Sequence, residues 1–147
     1  MEILNREAHF NYFVVDEIEA GIVLTGTEVK SIKDGKCQIK DSYATFRNNE
    51  IYILNMHINE YKEGNLFNHD PKRTRKLLLH KSEIKKLHDK VKLEGLTLIP
   101  LKLYFKNNKV KILIGICKGK KLFDKRETIK ERDLQRESRK QQKYNYK

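Results

Sequence analysis

His69 and Asp70 are adjacent, and a His–Asp pair is the side-chain chemistry of a general base or a metal ligand set. Nothing at useful spacing completes either. The charged neighbours Lys72, Arg73, Arg75 and Lys76 are all cationic, so they repel a divalent metal and attract phosphate. Asp70-Pro71 also starts a turn in which Asp70 accepts from its own backbone, and that is the simpler account of the pair. His9, His57, His80 and His88 show no ligand spacing. No nucleophile elbow, phosphate-binding Walker loop or dinucleotide fingerprint is present. The chain is expected to be neither an enzyme nor a holder of a cofactor or metal.

The cationic runs carry more. In Lys72-Arg73-Thr74-Arg75-Lys76 the planar guanidinium forks match phosphate geometry, and the alternative is a screened surface patch. Leu77-Leu78-Leu79 follows. The pleat of a strand turns Leu77 and Leu79 to the core and Leu78 outward, where it can pack on a base or ribose. A second run is Lys118-Gly119-Lys120-Lys121, where glycine lets backbone approach a phosphate. Phe123 then stands before Asp124-Lys125-Arg126. An aromatic among cations makes a stacking platform, although Phe123 can equally close the bottom of a core.

Those last residues open a tail. Residues 118–147 hold twelve Lys/Arg against five Asp/Glu, which is +7 of the formal +12 of the 147-residue chain. With so few apolar side chains the segment cannot offset its ordering entropy, so alone it is expected to be loose or only partly helical. Its charge suits a polyanion, and the remaining +5 on the body points the same way, although a basic tail can also serve solubility alone. Residues 1–117 are long enough for one small core. Cys37 and Cys117 lie 80 positions apart without a CxxC pattern and read as reduced thiols of a cytoplasmic protein. No signal peptide is expected from the start of the sequence, and no apolar run approaches a membrane span.

The elements that must position these residues are short. Phe10 to Ile18 reads as a strand. Thr25 to Gly35 reads as a helix with a Thr25/Glu28 capping box, which makes Glu28 mainly structural. Tyr43 to Arg47 and Ile51 to Ile58 form a hairpin about Asn48-Asn49. Tyr61 to Lys76 is a long polar connection of the kind that is usually functional or mobile. Ser82 to Glu94 is the clearest helix, capped by Ser82 and stopped by Gly95. Leu96 to Lys106 and Lys109 to Ile116 form a second hairpin about Asn107-Asn108, with Val110, Ile112, Ile114 and Ile116 on one face. Pro100 calls for an edge or a bulge. About six short antiparallel strands and two helices without a βαβ rhythm predict a mainly β fold. The expected form is a small antiparallel barrel of oligonucleotide-binding type with two or three flanking helices and a basic C-terminal tail.

Three runs, EAGIVLTGTEVKS (Glu19 to Ser31), NHDPKRTRKLLLH (Asn68 to His80) and KGKKLFDKR (Lys118 to Arg126), closely resemble the SsrA-binding protein (small protein B) family, as does the start Asn5-Arg6-Glu7-Ala8-His9. The resemblance covers nearly the whole chain in order. It implies a bacterial, non-enzymatic adaptor of trans-translation. Such an adaptor binds the tRNA-like domain of transfer-messenger RNA and, with elongation factor Tu on the same RNA, reaches stalled ribosomes. The tail then enters the empty mRNA channel beyond the small-subunit decoding centre and becomes helical there. DNA and membranes are not expected partners. Carried over by motif, Asn5, Glu19 and Leu78 match positions of RNA contact; Arg6, His9 and the phosphate-matching Lys72, Arg73, Arg75 and Lys76 are further candidate RNA ligands. Lys118, Gly119, Lys120 and Lys121 match the basic junction. Phe123, Asp124, Lys125 and Arg126, followed by Ile129, Lys130, Arg132 and Arg136, match the ribosome and tagging segment. Glu19 can accept from a 2′-OH or a base amine, or serve as a turn residue before Gly21. Gln141-Gln142 stands where related tails carry an apolar pair, which leaves Lys140, Lys143, Tyr144 and Tyr146 for docking. Two rivals to this function are a general ribosome-associated barrel protein and an RNA-processing enzyme using His69 and Asp70.

Overall fold

Both Asn-Asn pairs turn the chain as their type predicts. Asn48 and Asn49 have φ of 53° and 63°, and Asn107 and Asn108 have 52° and 63°. Two successive left-handed residues make the turn that matches the twist of a two-residue hairpin. They join β4 (Tyr43–Arg47) to β5 (Glu50–Leu54), and β8 (Thr97–Lys106) to β9 (Lys109–Gly119). The computed structural model describes residues 2–62, 68–121, 125–127, 129–134 and 136.

The other strands are β1 (Glu2–Leu4), β2 (Tyr12–Ile22), β3 (Cys37–Gln38), β6 (His57–Ile58) and β7 (Arg75–Leu78). The main antiparallel sheet runs β1-β8-β4-β5-β7-β2-β9, and the β8–β9 pairing bends it into a ring. Closure is uneven. Eleven-residue β2 and β9 pair along most of their length, whereas Ala44↔Leu98 is the sole register pair between β4 and β8. The small β3–β6 ladder stands apart from the ring. The inner face buries Ile22, Ile51, Ile53, Leu77, Leu98, Leu103, Ile112 and Ile114. The expected barrel of oligonucleotide-binding type is therefore present.

Helix α2 (Gly26–Lys33) is capped by Thr25. Glu28 Oε1 accepts from the Thr25 N–H at 2.8 Å, and Thr25 Oγ1 accepts from the Glu28 N–H at 3.4 Å. Helix α3 (Lys81–Glu94) starts earlier than a Ser82 cap requires. Its N-cap is His80, whose N–H donates to Glu83 Oε1 at 3.1 Å. Gly95 ends it in the left-handed region at φ 64°. The one-turn helix α1 (Ala8–Asn11) occupies the start of the segment expected to be strand, because Ala8 is buried against Ile99, Leu101 and Cys117. The expected strand Ile51 to Ile58 breaks at Asn55, whose φ of 61° sends His57-Ile58 to pair with Cys37-Gln38. Strand β9 runs on to Gly119, past the anticipated start of the tail at residue 118. Residues 125–127, 129–134 and 136 are helical.

Two bulges decide which side chains face outward. The β2 register shifts between Val14 and Asp16, and the β8 register shifts between Pro100 and Lys102, where the proline called for it. One extra residue inverts the alternation that follows. Val14 therefore packs in an outer cluster with Ala8, whereas Ile18, Ala20 and Ile22 join the inner core. Glu19 is thereby turned outward, within a strand and not at a turn. In β8 the same inversion moves burial in the inner core from Leu98 to Leu103 and Phe105.

Candidate nucleic-acid interface

Glu19 lies on β2, opposite Leu113 of β9. Its carboxylate reaches the next strand, where Oε2 accepts from the Tyr104 hydroxyl and Oε1 accepts from Lys106 Nζ at 3.3 Å. The Tyr104 hydrogen bond, aided by Lys106 and Lys111, holds the Glu19 pKa below the usual carboxylate value against a smaller opposing effect of burial. The Tyr104 phenol is pushed up to about 12, by burial first and then by Glu19. Lys102 Nζ stands 5.2 Å from the Tyr104 ring centroid. The outcome is an ionised acceptor held in one orientation among cations, which suits a 2′-OH or a base amine. Sequence reasoning missed Tyr104 and Lys106. The signal was the period-two series Lys102, Tyr104, Lys106 on one face of β8.

Two residues along, Gly21 is opposite Leu78 in the β2–β7 ladder. Leu78 is 53% exposed while Leu77 is 0% exposed, as the pleat requires. A Cβ at Gly21 would lie 3.2 Å from Leu78 Cβ, so glycine there lets Leu78 lie flat across the strand. Leu78, Gly21, Leu24 and Val29 face Asn108, Lys109 and Lys111 across an open groove of about 340 Å³. An apolar floor with cations on its rim is a surface for an unstacked base.

The central basic run divides in two. Lys72 and Lys76 face outward, and Lys76 pairs with Glu50 at 3.6 Å. Arg75 turns inward in phase with Leu77 and has 0% exposure. Its Nε donates to Glu28 Oε2, and its Nη1 donates to the Met56 carbonyl at 2.7 Å. Its Nη2 donates to the Pro71 carbonyl at 3.1 Å. Arg73 Nη2 donates to Glu28 Oε1 at 2.6 Å and to the Val23 carbonyl at 3.2 Å. Arg75 is thus a buried strut of the loop before β7, not a phosphate ligand on the surface, and Arg73 is partly engaged in the same cluster. Burial raises the pKa of Glu28, but Arg73, the Thr25 amide and Arg75 outweigh it and leave the carboxyl lowered.

His69 is 7% exposed, and both ring nitrogens are engaged. Nε2 donates to the Ile58 carbonyl at 2.8 Å, which leaves Nδ1 to accept from the Thr27 hydroxyl at 2.9 Å. Asp70 Oδ1 accepts from the Lys72 N–H at 3.0 Å, which is the expected turn. Asn68 is tied to Tyr61, while residues 63–67 of the expected polar connection lie outside the described residues. Asn68 Oδ1 accepts from the Tyr61 N–H at 2.9 Å, and its Nδ2 donates to the Tyr61 carbonyl at 2.5 Å. Among the described residues no three His, Cys, Asp or Glu side chains gather as a metal site. The Cys37 and Cys117 thiols are free, and burial pushes them up to about 12 and about 11 respectively. No described helix is long and apolar enough to cross a membrane.

At the two termini the basic junction and α1 meet. Asn5 is buried, with Nδ2 donating to the Pro100 carbonyl at 2.9 Å and its N–H to the Leu101 carbonyl at 2.9 Å, so it anchors the chain at the β8 bulge. Arg6 and His9 are exposed. Lys118 and Gly119 are exposed at the end of β9, and the backbone at Gly119 opens onto free space. Lys120 donates from its N–H to the Asn11 carbonyl at 2.9 Å and from Nζ to the His9 carbonyl at 2.8 Å. Lys121 accepts on its carbonyl from the Lys125 N–H at 3.1 Å. Lys125 and Arg132 stand 5.9 and 5.8 Å from the Phe10 ring centroid. Lys130 pairs with Glu127 at 3.6 Å, while Arg126, Ile129 and Arg136 are exposed. Phe123, Asp124, Lys140 to Lys143, Tyr144 and Tyr146 lie outside the described residues.

This unevenly closed antiparallel ring, with an apolar groove, an ordered carboxylate and cationic rims on its outer face, fits an RNA-binding barrel of oligonucleotide-binding type. Comparison with known proteins narrows that class. A family model described as SmpB protein matches residues 2–144, so the chain belongs to the SmpB family. It is 57% identical over 142 residues to the SsrA-binding protein of Acetivibrio thermocellus, covering 97% of this chain and 92% of that one. It is 56% identical over 138 residues to the SsrA-binding protein of Malacoplasma penetrans, covering 94% of each. Among solved structures it is similar to a chain described under "tmRNA-SmpB: a journey to the center of the bacterial ribosome". That match has a TM-score of 0.70 and 44% identity, and covers 87% of this chain and 94% of the other.

Proposed function

We propose that the protein binds the tRNA-like domain of transfer-messenger RNA and, with elongation factor Tu on the same RNA, delivers it to stalled ribosomes. There its basic tail enters the empty mRNA channel. The observation that carries this reading is the outer-face surface of Glu19, Gly21 and Leu78 in a chain of the SmpB family. Glu19 is held ionised and oriented, and Leu78 is an exposed apolar platform over a glycine. Arg6, His9, Lys72, Lys76, Lys118 and Gly119 supply an exposed cationic and backbone surround, and Asn5 and Arg75 hold the scaffold from beneath. The segment from Phe123 to Arg126 and the residues Ile129, Lys130, Arg132 and Arg136 act on the ribosome in this scheme.

Filter binding tests it. The full chain is titrated with transfer-messenger RNA and with an unrelated elongator tRNA from 0.05 to 0.3 M salt. A clear preference for transfer-messenger RNA at every salt concentration is expected, with log K falling steeply against log salt as phosphates release counterions. Equal affinity for the two RNAs would favour a general ribosome-associated protein. An RNA-cleaving role for His69 finds no support in a ring that is buried with both nitrogens engaged.

A further inference from the structure

A separate groove lies between the β4–β5 turn and α3. It holds about 750 Å³ and is floored by Phe46, His88 and the buried Ile84. The two rings meet edge to face, with centroids 4.8 Å apart and planes at 85°. Arg47 stands on one wall, and Lys81 and Lys85 stand on the other. Lys81, Lys85, His88 and Lys92 recur at i, i+4, i+7 and i+11, which places them along one exposed flank of α3.

The fold gives this flank little compensation. Among the described residues Arg47, Lys81, Lys85 and Lys92 form no ion pair. Like charges one turn apart destabilise a helix, and Lys81 in the first turn also opposes the macrodipole. Two acids border the groove. Glu50 is taken by Lys76 at 3.6 Å, and Asp89 lies 4.0 Å from His88 Nδ1. Cations repelling one another beside a half-exposed aromatic floor form a surface that an anionic partner with a flat ring would relieve.

We propose that this groove is a second RNA site that takes one unpaired nucleotide. The base rests against Phe46 and His88, and its flanking phosphates lie between Arg47 and the Lys81/Lys85 flank. Stacking rings with adjacent cations are the sequence-tolerant chemistry of single-strand binding. The site is distinct from the Leu78 groove and goes beyond the transfer-messenger RNA reading.

The test titrates the full ¹⁵N,¹³C-labelled chain with a mixed-sequence single-stranded RNA decamer. The largest shift changes outside the tail are expected at the Phe46 and His88 rings and at Ile84 and Lys85. In parallel, Lys81→Ala/Lys85→Ala is compared by anisotropy with wild type and with the control Lys33→Ala/Lys36→Ala, which removes two exposed lysines elsewhere. The groove variant should bind the decamer about tenfold more weakly at 0.1 M salt. It should lose about 1.4 from the slope of log K against log salt, roughly 0.7 per phosphate on a single strand. Shifts that leave Phe46 and His88 unmoved, or equal losses in both double variants, would overturn the site. Filter binding to transfer-messenger RNA reports independently on the proposed function, so the two ideas can fail separately.

Discussion

Glu28 has 0% side-chain exposure and so does Arg75, so their ion pair stands or falls as a unit. Removing one partner of a buried pair strands the other charge, which costs about 3–5 kcal/mol. Glu28→Gln should therefore destabilise the body by about that amount at pH 7, measured by urea unfolding. The folded carboxyl titrates below the ordinary carboxylate value of 4.5, so its stabilisation is present above pH 4.5 and is lost as pH falls through the lower folded value. Thermal melts from pH 6 to pH 3 should show the wild type weakening below pH 4.5, with a shallower decline in Glu28→Gln. Undiminished acid sensitivity in that variant would assign the effect to other carboxylates. Tyr104 poses a different question, because it acts on Glu19 through a hydrogen bond. Tyr104→Phe should move the Glu19 carboxyl pKa upward toward 4.5, followed by ¹³C NMR. RNA affinity should fall less than in Glu19→Gln, since at pH 7 the carboxylate stays ionised and only its orientation is freed. An unchanged Glu19 titration would show that Lys106 and Lys111 set it without Tyr104.

Strand phase governs the next level. Leu77 and Leu78 are neighbours with opposite fates, at 0% and 53% exposure. Leu78→Asp should leave the melting temperature nearly unchanged and weaken transfer-messenger RNA binding by about tenfold or more, the scale of one lost base-stacking contact. Leu77→Asp places a charge in the core and should cost about 4 kcal/mol or more. If Leu78→Asp melts like Leu77→Asp, the outer face is structural. That outward leucine was legible from alternation alone, as were both Asn-Asn hairpins and the Thr25–Glu28 box, because each depends on residues within a few positions of one another. The same alternation puts Arg75 in phase with Leu77 and Leu79, so its burial was also readable, although its partner Glu28, 47 positions away, was not. Glu19 was named as an RNA contact through the family motif, but its outward orientation on a strand was not readable, for a related reason. Its outward turn depends on a bulge at Val15 in the pairing of β2 with β9, which no local residue marks, whereas Pro100 marks the one on β8. Helix α1 was hidden because its main anchor, Ala8 against Leu101 and Cys117, is entirely long-range.

The whole molecule joins a barrel held by deep burial to helical residues that, among those described after 124, leave their apolar side chains exposed. In the helical residues after 124, Ile129 is 46% exposed and Leu134 is 63% exposed. Among the described residues, Lys125 and Arg132 lie over the Phe10 ring, each contact worth about 0.5–1 kcal/mol at an exposed site. On the proposed function, contacts of that size are exchanged cheaply for a ribosomal surface. Deleting residues 127–147 removes seven Lys/Arg and four Asp/Glu, a net +3 of the chain's +12. The truncated protein should melt within about 4 °C of full length, since a shift of that size corresponds to roughly 1 kcal/mol or less in a domain of this size. Its transfer-messenger RNA affinity should fall only modestly, because the Glu19–Leu78 surface and the Lys118–Gly119 end of β9 remain. If the tail acts in the mRNA channel as proposed, peptide tagging on stalled ribosomes should be abolished. Binding and tagging must be measured on the same preparation for the separation to hold. Tagging at the full-length rate by the truncated chain would place the ribosomal function in the barrel, and a matching collapse of RNA binding would place the RNA contact in the tail.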